Sequence, residues 1–154
     1  MAMKILIPWN FGPNDEKSIK FAVNHYKENP DAQITLFHVF SPVPEIDTRN
    51  NPIMEKLNRE TLYLRHRQHE EKEAMEEARR DLIQSGFKGD QVDILFKPVR
   101  HDVAEDIIRL VRKGEYNRVI LNRNPGNIVN YFSRSISKRV IRKLEKQTQI
   151  HIVN

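Results

Sequence analysis

The chain has 154 residues, of which 38% are hydrophobic and 31% charged, with no cysteine and a formal net charge of +5. That length supports a single domain over residues 1–154 with a real core, and the composition fits a soluble globular protein with a very polar surface. Without cysteine there are no disulfides, thiol nucleophiles or cysteine metal sites, and no apolar run approaches the roughly 20 residues that span a bilayer.

Met1-Ala2-Met3-Lys4 has no signal-peptide pattern, so cytoplasmic residence is expected. Lys4-Ile5-Leu6-Ile7-Pro8-Trp9 is a compact apolar run that predicts a buried strand, with Pro8 near its end because proline cannot donate to a ladder. Asn10-Phe11-Gly12-Pro13-Asn14-Asp15 is turn chemistry. Asn14 or Asp15 caps a helix to about Asn29 with Ile19, Phe21, Ala22 and Tyr26 as its apolar positions. Gln33 to Phe40 reads as a second strand, ended by Ser41-Pro42-Val43-Pro44. A loop to about Asn51 leads into a long charged helix from about Pro52 to Ser85. Its apolar positions, Leu57, Leu64, Met75, Ala78 and Leu82, are sparse enough to leave one face open to water. Gly86 fits the residue just past its end.

Gln91 to Phe96 predicts a third strand. Asp102 caps a helix through about Lys113, with Val103, Ile107, Ile108, Leu110 and Val111 inward and Gly114 closing it. The apolar run Val119-Ile120-Leu121 predicts a fourth strand, Arg118–Leu121. It breaks into a polar loop holding Asn122, Asn124, Pro125 and Gly126. Ser135 or Ser137 then caps a helix carrying Ile136, Val140, Ile141 and Leu144. Gln149 to Val153 alternates as a last strand with one polar face.

The order β-α-β-α-β-α-β-α-β predicts an α/β fold: a five-stranded, mainly parallel, doubly wound open sheet with helices on both faces. Such sheets bind ligands beyond the carboxyl ends of the strands, where strand order switches. The ends that matter are Pro8–Asn10, Val39–Ser41, Arg100–Asp102 and Asn122–Gly126. A strand, a loop and then a helix N-terminus can cradle a phosphate. Charge gathers at the same place. From Arg123 to Lys146 there are seven basic residues against one acid, Glu145, so the rest of the chain is near neutral. Either a solvated helix face or an anion site accounts for this.

Taken in order, Ile5-Leu6-Ile7-Pro8, Leu36-Phe37-His38-Val39, the charged second helix, Val103-Ala104-Glu105-Asp106-Ile107, and Val119-Ile120-Leu121 followed by a loop and Ser135-Ile136-Ser137 resemble the universal stress protein family over essentially the full length. The resemblance implies an adenine-nucleotide alpha-hydrolase-like fold. In the ATP-binding branch the first strand ends in Pro-x-Asp, whose Asp contacts the nucleoside; here the match is Pro8-Trp9-Asn10, which lacks the charge. The residue whose backbone contacts the base falls on Val39. The branch's phosphate loop reads Gly-x-x-Gly, about nine residues, then Gly-Ser or Gly-Thr. Its glycines fall on Asn122, Pro125 and Arg134, with Gly126 one residue from the second and the segment one residue shorter. Ser135 matches the final hydroxyl, with Ile136 beside it.

These replacements act in opposite directions. Glycines supply positive φ and room for backbone to approach phosphate, and Pro125 offers no N–H. Arg123 and Arg134 bring charge that attracts an anion. The reading taken is a universal-stress-type binding and signalling module in a stress response, with a weakened or lost ATP site and a protein partner. One alternative is an ATP- or AMP-binding protein with a modified phosphate loop, at most a slow hydrolase. The other is nucleic-acid binding by the basic helix, the less favoured partner. No catalytic residue or metal ligand is assigned. His66 and His69 share a helix face and read as solvated, His38 as structural, and His101 as a loop residue at the ligand edge. Tyr131 and Phe132 read as packing residues rather than a base-stacking pair. The last strand, Ile150, His151, Ile152 and Val153, is an edge that invites a twin about a two-fold axis, and the resemblance likewise implies a homodimer.

Overall fold

A computed structural model describes residues 2–42, 52–122 and 134–154, with backbone alone at 52–55, 57, 58 and 134. The elements are β1 (Met3–Pro8), α1 (Asp15–Tyr26), β2 (Ala32–Phe40), α2 (Pro52–Gln84), a short 3₁₀ turn at Gly89–Gln91, β3 (Val92–Pro98), α3 (Val103–Gly114), β4 (Arg118–Asn122), α4 (Arg134–Leu144) and β5 (Gln149–Val153). The five strands form one sheet in the order β3-β2-β1-β4-β5, every pairing parallel. Strand order reverses between β1 and β4, so the carboxyl ends of those two strands flank the crevice typical of such sheets.

Alternation along the strands sorts the core into two layers. Ile5 and Ile7 point to the layer of α1 and α2, packing with Ala22, Ile34, Leu36, Met75, Leu82 and Ile120. Leu6 points the other way, to Ile107, Ile108, Val111, Val119, Leu121, Val140 and Leu144 under α3 and α4. A strand buried on both faces must be apolar throughout, which is why β1 and β4 read as continuous runs rather than alternating ones.

Several boundaries differ from the sequence reading for local reasons. Helix α1 stops at Tyr26, not near Asn29, because Asn29 turns the chain: its side chain accepts from Asp31 N at 2.9 Å and its carbonyl from Ala32 N at 3.2 Å. The predicted cap of α3 is in place, Asp102 Oδ1 accepting from Glu105 N at 2.7 Å. The closing residue is different. Glu115, not Gly114, takes the left-handed conformation, φ 56°. Gly114 serves for space: a Cβ there would stand 2.5 Å from Tyr116 Cε2. Helix α4 already begins at Arg134, so Ser135 and Ser137 lie inside its first turn and neither is its cap. Leu64, one of its predicted apolar positions, is 43% exposed beside exposed Leu62 and Tyr63, and among the described residues α2 gives Met75, Ala78 and Leu82 to the core. The side chain of Leu57 and residues Val43 to Asn51 lie outside the described residues.

On β5 the face expected to be polar is only partly so: Gln149 is exposed, but His151 and Val153 are half-buried. His151 tilts against Phe21 at 4.8 Å between ring centroids and meets Tyr26 Oη at 3.2 Å, while Val153 packs on the α1 layer. Burial, and the nearby Arg118 and His25 charges, hold His151 below the usual histidine range. Ile150 packs on the other layer, and Ile152 is 38% exposed on this edge strand.

Candidate functional site

The crevice between β1 and β4 holds a closed polar network. Asn10 follows β1 and Asn122 ends β4; both are essentially fully buried, at 1% and 0% exposure. Their orientations follow from what each partner is able to do. Asp15 Oδ1 only accepts, so the atom of Asn122 2.8 Å from it is the amide nitrogen, which also lies 3.2 Å from Ser18 Oγ. That leaves Asn122 Oδ1 to accept from Asn10 Nδ2 at 2.7 Å. Asn10 Oδ1 in turn accepts from Gly12 N at 2.8 Å, closing an Asx turn. The turn places Phe11 at φ 59°, a strained conformation for a non-glycine residue. The Phe11 ring meets His38 edge-on at 4.7 Å.

Asp15 is the anchor. Being the first residue of α1, it sits where the helix dipole favours an anion. Burial opposes its charge more strongly than donors from Asn122, Asn10, Phe11 and Gly12 favour it, and its pKa is raised to about 6. Its second oxygen, Oδ2, is buried without a hydrogen-bond partner among the described residues. Asp15 and Ser18 were not singled out as a site from sequence. The available signal was their spacing of three in the first turn of a helix, which puts both on one face.

Beside this network stands His38. Its Nδ1 lies 2.8 Å from the Trp9 carbonyl, so Nδ1 carries the proton, and Nε2 faces Glu71 Oε2 at 3.4 Å. Burial lowers the His38 pKa, though the bond to Trp9 raises it, and burial raises that of Glu71 against the pull of Arg67. Both shifts favour neutral forms. Through its contacts with the Trp9 carbonyl and Glu71, His38 links the β1 end to α2.

The structure brings Pro8, Asn10, Val39 and Asn122 to the same edge. Pro8 is paired with Phe37, so Asn10 and Val39 each lie two residues beyond that pair. The Val39 side chain belongs to the α3 layer of the core. Ser135 is exposed and Ile136 half-buried against that layer. Arg123 and Gly126, with Asn124, Pro125, Tyr131 and Phe132, lie outside the described residues, as does the Arg134 side chain. His101 reaches Asp106 Oδ1 at 3.2 Å in the β3–α3 loop. His66 pairs with Glu70 at 2.9 Å on the exposed face of α2, and no group of residues able to hold a metal occurs among those described. No helix is long and apolar enough to cross a membrane among the described residues.

The family profile described as "Universal stress protein family" matches residues 1–148. A search of curated proteins gives no match. Among solved structures, universal stress protein UspA from Lactobacillus plantarum superposes with TM-score 0.61 at 16% identity, over 99% of this chain and 98% of that one. The universal stress protein of Archaeoglobus fulgidus in complex with dAMP gives 0.58 at 11%, over 100% and 98%. A family protein from Arabidopsis thaliana with AMP bound gives 0.53 at 12%, over 99% and 91%.

Proposed function

This chain belongs to the universal stress protein family, and we propose that it acts there as a binding and signalling module in a stress response, with its ATP seat weakened or lost. The observation that carries this reading is the 2.7 Å bond between Asn10 and Asn122. The resemblance assigns Asn10 to the nucleoside and Asn122 to the first glycine of the phosphate loop. Here the two side chains are spent on each other, that of Asn10 also on Gly12 N and that of Asn122 also on Asp15, and both are out of solvent. A nucleotide that engaged them would have to break bonds that are already made and leave buried groups unpaired, at about 1–3 kcal/mol for each group. Isothermal titration of the purified protein with ATP tests the reading, which requires no binding in the micromolar range.

The second reading, an adenine-nucleotide binder with a modified loop, draws support from the relatives solved with dAMP and AMP. It rests on Arg123, Gly126, Arg134, Ser135 and Ile136 rebuilding a phosphate seat, and copurified ATP or AMP would favour it. Nucleic-acid binding by α4 is the weakest reading. Arg139, central to the basic run, is held by Asp102 at 2.8 Å and Glu105 at 3.3 Å. Homodimerisation through Ile150, His151, Ile152 and Val153 completes the proposal, because β5 ends the sheet and presents an unpaired edge.

A further inference from the structure

Two helices cover five strands on the α3 and α4 face, and the coverage is uneven. Ala104, Ile107, Ile108 and Val111 seat α3 over Leu6, Val119 and Leu121, toward the middle of the sheet. Edge strand β3 is left without a helix on that face. Its outward residues there, Leu95 and Lys97, together with Phe37 and Val39 of β2, floor a groove of about 620 Å³. Leu110 of α3 forms one wall, and the β3–α3 loop closes one end. The volume lies within the range of small-molecule sites.

The walls carry one sign of charge. Lys97, Arg100, Arg109, Arg112 and Lys113 line the groove against a single carboxylate, Asp106. Asp106 is occupied by the loop, accepting from Arg100 N at 2.9 Å and His101 N at 3.2 Å. Arg109 is paired with Glu105 at 3.0 Å, and Arg112 donates to the Lys143 carbonyl at 3.3 Å. No acidic side chain pairs with Lys97, Arg100 or Lys113 among the described residues. An apolar floor between unpaired cations suits a molecule that buries hydrocarbon and ends in an anion. Long basic side chains cover such a chain with their stems and meet the acid with their heads.

We propose that this groove binds a single-chain amphipathic anion, a hydrocarbon body ending in a carboxylate. The seat is separate from the Asn10–Asn122 network: Val39 gives its side chain to the groove, whereas the resemblance gives its backbone to a nucleotide.

The test titrates the purified full chain with the fluorescent fatty-acid analogue 11-(dansylamino)undecanoate. Saturable, one-to-one enhancement is expected, reversed by dodecanoate but not by dodecylamine or ATP. The double substitution Lys97→Glu with Arg100→Glu, both at exposed positions, should weaken binding about tenfold with an unchanged Tm. Leu110→Glu, which puts a like charge into the wall, should weaken it as well. Absence of saturable enhancement overturns the proposal, as does equal competition by the amine or indifference to the charge reversal. Displacement by ATP would instead make the groove an arm of the nucleotide seat. Cosedimentation with phosphatidylglycerol vesicles, without displacement of the probe by dodecanoate, would mean a membrane surface. Either result overturns the proposal.

Discussion

Replacing Asp15 by Asn isolates the energetic consequence of the buried network. The carboxyl has a pKa of about 6 in the fold against an ordinary 3.8, because burial outweighs its donors. A folded pKa above the unfolded one means that the native state is favoured most below pH 4 and loses stability as pH rises through 6. A shift of about two units corresponds to about 3 kcal/mol at pH 8, an upper figure at about 1.4 kcal/mol per unit. Asn is nearly isosteric, and its oxygen can still accept from Asn122 Nδ2 and Asn10 N, the bonds Asp15 Oδ1 now makes. Its nitrogen takes the place of the partnerless Oδ2 and keeps a desolvation cost of its own, which reduces the gain. Urea denaturation at pH 8 should therefore show Asp15→Asn more stable by about 1–3 kcal/mol, with little difference at pH 4. Equal destabilisation at both pH values would refute the reasoning, since it would mean that the charged form is what the network needs.

Asp102→Ala should cost about 1 kcal/mol near neutral pH through loss of the α3 cap, read as a lower urea midpoint. The bond from Glu105 N and the Arg139 guanidinium hold the Asp102 pKa below the usual carboxylate range. Its contribution is accordingly complete above pH 4 and fades as pH falls further. Gly114→Ala drives a methyl into the Tyr116 ring, and thermal melting should show a loss of about 1–3 kcal/mol. Ile152→Lys places a charge on the exposed edge of β5, and sedimentation velocity should show dimers of the parent chain converted to monomers. A parent chain that is monomeric at every concentration would remove the edge-pairing proposal.

Periodicity made most of the fold legible. Runs such as Ile5-Leu6-Ile7 and Val119-Ile120-Leu121 have one structural solution, burial on both faces of a central parallel strand, and they occupy the two strands at the switch point. Asp102 was readable as a cap because its carboxylate acts within three residues. The polar network was not readable as a whole: Asn10 and Asn122 are 112 residues apart, and Asp15 resembled an ordinary helix-start acid. Nor did the sequence reveal the groove beside β3. It depends on where α3 lands over the sheet, and Arg109 and Lys113 look like a solvated helix face until that placement is known. Gly114 shows the same limit at short range, since its role lies in the Tyr116 ring rather than in its own φ.

Whether the Asn10–Asn122–Asp15 network closes a nucleotide seat is tested most directly by thermal unfolding of the parent chain with and without about 1 mM ATP. A closed seat predicts a Tm unchanged by ATP. A site with a dissociation constant near 10 μM would add about 2.7 kcal/mol and raise Tm by roughly 5–10 °C, and a shift of that size would mean that the network leaves the seat open.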